Sequence, residues 1–403
     1  MEFSIISEMF EMMEKTTKRI ELTNILVELL KKTPKKIIPN VVYLLQGIIR
    51  PNFEGVELGI AEKLAIRAIS KSAGLPIKKI EDDYRECGDL GLTASNILKI
   101  KTQTTFTAEK ITVERVYETL FKIAKLEGKG SQDLKMKYIS SLLNDATPLE
   151  AKFLLKILLG TLRLGIAENT VMDALAIAFT GKKENRVQIE NAYNVSSDLG
   201  KVSLIVATDG IDEIKKFKIS LFSPIRPMLA DRVQSEKDVI KKMPEQFVAE
   251  YKLDGERVQI HKQSDKIVLF SRRLENITQY YPDIVERIGK TLNVNEGVFE
   301  AEIVPINENT GEFLPFQELM HRRRKHKLDK AVSQYPITVN FFDVLYYDKK
   351  DCLNLECSER RKILEQIVHE DNFSKLVPML FVKNENEIED FLENSINSGC
   401  EGL

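Results

Sequence analysis

The spacing of apolar residues changes once along the chain, near residues 210–222, and this change constrains the fold more than any other feature. Before it, apolar residues recur every three or four positions, which is the period of helices packed by one face. Pro224 and Pro227 prevent a continuous helix just beyond the change. We therefore predict an all-α domain over residues 1–215 and a second domain over residues 216–403.

In the second domain apolar residues alternate with period two, which is typical of strands with one buried face. The segments with this pattern are 247–251, 257–262, 267–271, 298–304, 337–346 and 380–382, with helical patterns at 358–368 and 385–395. This mixture predicts an α+β fold. A doubly wound sheet is disfavoured because regular β-α-β alternation and a glycine-rich first turn are both missing from the sequence.

Length and composition favour an intracellular globular protein. The 403 residues suit two or three domains, and 30% charged with 43% hydrophobic residues is typical of a soluble chain. The acidic N-terminus is unlike a signal peptide, and we find no apolar run long enough to cross a bilayer. The four cysteines form no C-x-x-C pair, which predicts reduced thiols. We expect a cytoplasmic monomer that does not bind membranes.

The octapeptide Glu250–Arg257 is the main candidate for chemistry. Lys252 lies between two apolar, strand-like runs and precedes an Asp-Gly pair. We expect Gly255 to bend the chain through a positive φ, which returns Arg257 to the neighbourhood of Lys252. A phosphate would then meet an amine and a guanidinium together. Partial burial and nearby cations would favour the uncharged, nucleophilic amine; the alternative is a solvated lysine at a strand end.

Charged residues further along the chain could complete a phosphate site. Arg272 follows the third strand candidate and offers a planar fork to phosphate or ribose oxygens. Glu300 and Glu302 are two residues apart in a strand and so share one face. With Glu401 they would repel a triphosphate unless a hard cation lay between, which predicts magnesium. The alternative is that these are solvated strand charges.

Two further patterns leave alternatives open. Phe341 and Phe342 lie in one apolar strand and should face opposite sides, so at most one could stack on a purine while the other is a core residue. The basic run at residues 321–327 is either a solvated helix face or a contact for a phosphate backbone.

Three glycine-punctuated turns lie beside predicted helices of the first domain. Each could be a helix cap, but together they suit a surface that holds a phosphate backbone without reading bases. The candidate DNA-binding residues in these turns are Gly88, Gly91, Gly130, Ser131, Lys135, Arg163 and Gly165.

Five motifs, in order K-L-D-G-E-R, S-R-R, F-E-A-E-I-V, F-F-D-V-L-Y and E-G-L, resemble the nucleotidyltransferase motifs of ATP-dependent DNA ligases, close to the archaeal replicative type. The helical half resembles the DNA-binding domain of the same family at its three glycine turns. The resemblance covers nearly the whole chain. It implies an all-α DNA-binding domain followed by an α+β adenylation domain of the ATP-grasp-like type.

The resemblance also implies a reaction and its cofactors, ATP and Mg²⁺. Lys252 attacks the α-phosphorus of ATP to form lysyl-AMP, and pyrophosphate leaves. The AMP passes to the 5′-phosphate of a nick in duplex DNA, and the 3′-hydroxyl displaces it to seal the strand. Such enzymes act in DNA replication, repair and recombination.

The resemblance assigns site roles by position. Lys252 is the nucleophile, Glu250 accepts from the adenine amine, and Phe342 stacks on adenine. The remaining assignments are Arg257 and Arg272 to phosphate and ribose oxygens, Glu302 to the ribose or a metal, and Glu401 to a metal. A weaker resemblance at 103–107 is to a sliding-clamp peptide, but Thr107 replaces its second aromatic residue, so a structural loop is preferred.

Family members continue past the E-G-L motif into a lysine-bearing strand and an oligonucleotide-binding (OB-fold) barrel. The expected explanation is that this chain is a fragment of a longer ligase, and the alternative is a truncated, catalytically compromised protein. An RNA ligase or RNA-capping enzyme would share K-x-D-G, but the helical half argues against both. A nick-binding module without chemistry is the alternative from another class.

Overall fold

A computed structural model of the chain describes residues 1–100, 109–233, 235–243, 247–323 and 332–403. The chain divides into two units, a helical unit over Met1–Lys218 and a sheet unit over Ile219–Leu403. The division lies three residues beyond the predicted position. The predicted all-α and α+β characters of the two halves are confirmed.

The helical unit consists of short helices around one apolar core. They are α1 (Phe3–Glu14), α2 (Arg19–Lys32), α3 (Ile38–Leu45), α4 (Glu62–Ala73), α5 (Ile77–Cys87), α6 (Leu90–Lys99), α7 (Val113–Ala124), α8 (Ser131–Asp145), α9 (Pro148–Leu158), α10 (Glu168–Thr180), α11 (Arg186–Ser196), α12 (Leu199–Thr208) and α13 (Ile211–Ile214). Within the core, Phe10 of α1 meets Phe153 of α9 edge to face, with ring centroids 5.4 Å apart.

Local caps fix where these helices begin and end. The side chain of Asp89 accepts from the Leu92 N–H and starts α6. Thr147 and Glu150 form a reciprocal capping box that starts α9. Gly88 ends α5 in the left-handed region, with φ at 68°, which a residue with a Cβ adopts only at a cost. The predicted turn at 88–91 is therefore a C-cap followed directly by an N-cap.

The sheet unit holds the strands β1 (Phe247–Glu250), β2 (Glu256–Gln263), β3 (Lys266–Ser271), β4 (Glu296–Pro305), β5 (Ile337–Tyr347), β6 (Lys350–Asp351), β7 (Ser374–Leu376) and β8 (Met379–Val382). Its helices are α14 (Glu236–Lys242), α15 (Pro282–Thr291), α16 (Phe316–Met320), α17 (Cys357–Ile367) and α18 (Glu385–Asn397). All six predicted strands are confirmed; the short β6 and β7 carry too few residues to show a period.

Antiparallel pairing dominates the sheet unit. One sheet has the order β3-β2-β4-β5-β6, and β7 joins β5 in parallel, while β1 and β8 form a separate ribbon. A core of side chains such as Val258, Ile260, Phe299 and Phe341 covers one face of the larger sheet. Alternation then directs Arg257, Gln259 and Glu302 to the other face.

Candidate active site

Lys252 lies at a short pairing between the K-L-D-G segment and the last residues of the chain. Its N–H donates to the Gly402 carbonyl, and the Glu401 N–H donates to the Lys252 carbonyl, both at 2.8 Å. The Lys252 ammonium also contacts the Glu401 carboxylate. The Lys252 side chain is 58% exposed, so the expected partial burial is wrong.

Gly255 serves close packing rather than a left-handed turn. Its φ is not in the positive range, which corrects the expectation from the Asp-Gly pair. A Cβ at this position would lie 2.3 Å from the Ile303 carbonyl oxygen, far inside contact distance. Glycine therefore lets the segment after Lys252 pass directly over β4, which carries Glu302.

Glu302 is a partly buried carboxylate on the open face of β4. The pairing of β2 with β4 places it opposite Arg257. Burial raises the pKa of Glu302 to about 8, against the opposing charges of Arg257 and Lys252. Among the described residues, no side chain or backbone group gives this carboxylate a hydrogen bond or an ion pair. It is therefore suited to a cation or to a ligand that donates hydrogen bonds.

Arg257 is oriented by Glu300 rather than by Lys252. Its Nε donates to Glu300 Oε2 at 2.8 Å, and its guanidinium carbon lies 5.3 Å from the Phe342 ring centroid. Glu300 is 3% exposed, and burial raises its pKa. Glu300 and Glu302 share one face, as predicted, since they lie opposite Gln259 and Arg257. Glu300 was expected to share a magnesium site with Glu302 and Glu401, but its carboxylate accepts from Arg257 and Gln259 instead.

The two neighbouring phenylalanines of β5 separate as alternation predicts. Phe341 is fully buried and meets Phe299 edge to face at 6.4 Å. Phe342 is partly buried and packs with Leu253 and Val304 on the opposite side. Only Phe342 therefore faces the side of the sheet that carries Arg257 and Glu302.

Glu250 carries a second unpartnered carboxylate. It ends β1 opposite Met379 of β8. Its Oε1 atom is buried without a hydrogen-bond partner in the described part of the chain. Burial raises the pKa of Glu250, while Arg361 and Arg360 act in the opposite direction. A buried acceptor without a donor fits a ligand amine.

The structure links some predicted residues and leaves others apart. Lys252, Glu401, Glu302, Arg257 and Phe342 are connected by the contacts and charge interactions described above. Arg272 is exposed, and its side chain makes no hydrogen bond or ion pair with the described residues. The β2–β3 register, which pairs Val258 with Ser271, would place Arg272 opposite Arg257 if continued by one residue.

The basic run at 321–327 contains an inward-facing residue. Arg322 is 1% exposed and donates to both oxygens of Asp283, at 3.3 and 2.7 Å. For Arg322 neither the solvated helix face nor the phosphate contact holds, because this guanidinium is buried on Asp283. Residues 324–327 and the clamp-like segment 103–107 both lie outside the described residues.

The helical unit has a groove of about 830 Å³ that joins two of the predicted turns. Gly88 and Arg163 both line it, together with Lys63 and Lys156. Lys156 pairs with Glu14 and Asp89, at 2.7 and 3.3 Å. Arg163 and Lys63 are exposed, and neither has a hydrogen-bond or ion-pair partner among the described residues. Lys63 belongs to no glycine turn, so the sequence pattern did not select it.

The other predicted turn residues have structural contacts. Gly91 lies inside α6, and a Cβ there would come within 2.6 Å of the Lys152 carbonyl oxygen. Lys135 donates to the Leu58 carbonyl at 3.1 Å, near Ile60 of the groove wall. Gly130 precedes α8, which starts at Ser131 without a side-chain cap. Gly165 has a φ of 68° and so requires glycine for its turn.

Neither a metal cluster nor a membrane span is found in the described ranges. No group of three or more His, Cys, Asp or Glu side chains there could hold a metal ion. None of the helices described above is long and apolar enough to cross a membrane. The cysteines Cys87, Cys352, Cys357 and Cys400 are free thiols, as predicted.

Comparison with known families defines the class of the protein. The model described as "DNA ligase N terminus" matches residues 2–176, and the one described as "ATP dependent DNA ligase domain" matches residues 227–403. A solved structure described as "Pmar-Lig_PreS3" has the same overall fold, with a TM-score of 0.52 and 16% identity over 98% of this chain and 72% of that chain. The chain belongs to the ATP-dependent DNA ligases, enzymes that use ATP to seal nicks in DNA.

Individual relatives narrow the family to its archaeal members. The chain is 70% identical to a DNA ligase of Nitrosopumilus maritimus and 62% identical to one of Cenarchaeum symbiosum. Each alignment covers all of this chain and 68% of the relative. The chain is thus an archaeal-type ATP-dependent DNA ligase sequence, matched over about two thirds of these relatives' length.

Proposed function

We propose that Lys252 is the nucleophile that takes AMP from ATP, within the site formed by β2, β4, β5 and the end of the chain. The observation that carries this proposal is the position of Glu302: a desolvated carboxylate without a partner lies within the field of both Lys252 and Arg257. Structural carboxylates are usually paired. A nucleotide site explains one that is not.

Different residues of the site are assigned to the base and to the phosphates of the nucleotide. The buried Oε1 of Glu250 accepts from the exocyclic amine of adenine, and Phe342 offers its ring to the base. Arg257 and Arg272 hold phosphate and ribose oxygens, since a guanidinium donates in a planar fork. Lys252 attacks the α-phosphorus, its bond to phosphorus forms as the bond to pyrophosphate breaks, and the amine proton must leave.

Glu401 is the group in contact with Lys252 that can take this proton or hold the amine for attack. Glu401 would also hold Mg²⁺, together with Glu302. Mg²⁺ is commonly held by one or two carboxylates plus substrate phosphates, which fits a site without a three-residue cluster in the described chain. When bound, Mg²⁺ neutralises charge on the triphosphate.

The groove of the helical unit is proposed to hold the DNA phosphate backbone. Arg163 and Lys63 are its exposed cations, Gly88 also lines it, and Gly165 follows Arg163 by two residues. The first turn of α8, which begins at Ser131 after Gly130, lacks a side-chain cap and leaves amides for a phosphate oxygen. Lys135 stabilises the groove wall indirectly, because its ammonium donates to the Leu58 carbonyl near Ile60.

The cellular setting is proposed from the family alone. The protein would act on nicked duplex DNA as a monomer, in the cytoplasm, during replication, repair and recombination. Residues 103–106 would supply a contact for a sliding clamp only if Phe106 can serve without the second aromatic residue of such peptides.

The direct test is transfer of label from α-labelled ATP to the protein in the presence of magnesium, read by denaturing electrophoresis. We expect a labelled band for the wild type and for Lys290→Ala, an exposed lysine of α15 outside the site. We expect no band for Lys252→Ala. Loss of one transition-state electrostatic contact in Glu302→Gln should slow labelling about a hundredfold, whereas Glu308→Gln, at an exposed position, should not.

Persistence of label in Lys252→Ala would refute the assignment of the nucleophile. If the wild type stays unlabelled yet binds nicked duplex in a salt-sensitive way, the chain is a nick-binding module instead.

A further inference from the structure

The segment Phe222–Ile225, at the start of the sheet unit, is bonded to the active-site face through one buried amide. Gln259 of β2 is 5% exposed. Its Oε1 accepts from the Ile225 N–H at 2.7 Å, and its Nε2 donates to the Ile225 carbonyl at 3.1 Å. The same Nε2 donates to Glu300 Oε1 at 2.7 Å. A single side chain therefore joins the backbone of this segment to an active-site carboxylate.

His261 fixes the orientation of that amide. The Phe222 N–H donates to His261 Nδ1 at 3.0 Å, so Nδ1 carries no proton and the neutral ring must carry its proton on Nε2. Nε2 lies 2.8 Å from Gln259 Oε1 and donates to it. Burial lowers the pKa of His261 to about 3, so the ring stays neutral near physiological pH. The Gln259 NH₂ group is therefore always turned toward Glu300.

Glu300, oriented by Gln259, in turn orients Arg257. With Oε1 bonded to Gln259, its Oε2 accepts from Arg257 Nε at 2.8 Å. A guanidinium bonded through Nε keeps its terminal nitrogens pointing in a fixed direction, here beside the Phe342 ring. The direction in which Arg257 presents its free donors thus depends on Gln259.

The segment Phe222–Ile225, at the other end of this hydrogen-bond network, is held in place by its own contacts. Phe222 has a φ of 67°, a region that residues with a Cβ adopt only when neighbouring contacts require it. The Lys266 ammonium lies 3.9 Å from the centroid of the Phe222 ring, and Ile225 is 7% exposed. These contacts keep the segment in one conformation against β2 and β3.

We propose that Gln259 is a positioning residue for the ligase reaction: through Glu300, it makes the orientation of Arg257 toward the nucleotide depend on the placement of Phe222–Ile225. The inference rests on the proposed role of Arg257 in holding nucleotide oxygens.

The test uses Gln259→Met, which keeps the length of the side chain and removes its hydrogen bonds. We expect the KM for ATP in self-adenylylation to rise about tenfold, the size of one lost charge-assisted contact. The control is Ser374→Ala, which removes the buried 3.0 Å hydrogen bond to Thr291 in the same unit. A purely structural role would lower the fraction of protein that becomes labelled and leave KM unchanged, as we expect for Ser374→Ala.

A double-mutant cycle shows whether Gln259 acts through Arg257. In an Arg257→Ala background, Gln259→Met should add nothing to KM. Glu300→Gln, which presents an NH₂ group or a weaker acceptor to Arg257 Nε, should reproduce the rise in KM and serves if Gln259→Met melts below the assay temperature. An unchanged KM in the folded variants, or full additivity with Arg257→Ala, would overturn the proposal.

ATP binding to Lys252→Ala separates this inference from the proposed nucleophile, because no adduct can form there. Adding Gln259→Met to Lys252→Ala should weaken the binding of labelled ATP about tenfold in equilibrium dialysis. An equal Kd would overturn the role of Gln259. Failure of the wild type to form an adduct would instead count against Lys252 as the nucleophile.

Discussion

Paired buried charges of the helical unit contrast with two carboxylates of the sheet unit. In the helical unit, the Lys152 side chain is 10% exposed and pairs with Glu11 and Glu14, both at 2.6 Å. Asp173, at 1% exposure, pairs with Arg19 at 2.8 Å. In the sheet unit, the carboxylates of Glu250 and Glu302 are desolvated, and the described residues give Glu302 and the Oε1 of Glu250 no partner.

The difference separates charges that hold the fold from charges that await a ligand. Removing a charge from water costs several kcal/mol unless an opposite charge or a hydrogen bond compensates. Lys152 and Lys156 of α9 pair with Glu14 of α1, and Lys156 also pairs with the α6 cap Asp89, so these ion pairs stabilise the packing of α1, α6 and α9. At Glu250 and Glu302 the cost is left in place, where a nucleotide and a cation would supply the missing partners.

The largest effect on folding is expected for Lys152→Met. The change keeps the apolar stem of the side chain but leaves Glu11 and Glu14 without their shared cation. We expect the free energy of unfolding to fall by about 3 kcal/mol, as when a buried pair loses one member. Urea denaturation of the whole chain measures it. Lys32→Met, which breaks an exposed pair with Glu28, should change stability by less than about 0.5 kcal/mol; equal losses in the two variants would contradict the comparison.

In the sheet unit, removing a buried charge should have the opposite sign. Folding raises the pKa of Glu302 from 4.5 to about 8. The protonated carboxyl therefore contributes stability that is fully present below pH 4.5 and is lost as the pH rises through 8. Glu302→Gln should match the wild type near pH 4.5 and exceed it at pH 8.5 by about 2 kcal/mol.

Thermal melts of both proteins across this range, without nucleotide or magnesium, measure the difference. A wild type that is the more stable protein at pH 8.5 would show that Glu302 has a partner in the fold and is not reserved for a ligand.

The close approach at Gly255 predicts a smaller loss. In Gly255→Ala the new Cβ would meet the Ile303 carbonyl, so the segment after Lys252 must move away from β4. We expect unfolding to become easier by about 2 kcal/mol, typical of overpacking, with slower lysyl-AMP formation. Gly289→Ala is the matched control, because a Cβ there meets nothing within 4 Å in helix α15, and alanine suits a helix interior.

Local patterns predicted the elements and the facing of neighbouring side chains. A period of two is a property of adjacent residues, so the placement of Phe341 and Phe342, and of Glu300 beside Glu302, could be predicted from the sequence. The reason why glycine is needed at position 255 could not be predicted from the sequence. Its glycine is required by β4, some fifty residues away, and only the fold reveals that Ile303 lies against it.

Contacts between residues far apart in the sequence could not be predicted from local patterns either. Nothing near Lys252 in sequence indicates that Glu401 pairs with it, and the Lys252 side chain is 58% exposed where partial burial was expected. Arg322 belongs to a basic run that predicted either a solvated helix face or a phosphate contact, yet its guanidinium is buried and pairs with Asp283. Gln259 and His261 looked like ordinary strand residues, because the bonds that give them a role lead to a segment more than thirty residues earlier.

The smallest expected effect concerns the exposed cations of the helical unit. Arg163 lines the groove and has no ion pair in the described chain, so Arg163→Ala should leave folding almost unchanged. Loss of one phosphate contact should weaken binding to nicked duplex about tenfold and reduce the slope of log K against log salt by about one. Fluorescence anisotropy over a salt series measures both quantities.

Lys182→Ala, an exposed lysine that does not line the groove, removes the same charge elsewhere. Because non-specific attraction depends on total charge while a phosphate contact depends on position, only Arg163→Ala should change the slope. Equal slopes for the two variants would mean that the DNA backbone passes over a different surface of the helical unit. The unpaired state of Arg163 would then require another explanation than the one that accounts for Glu302.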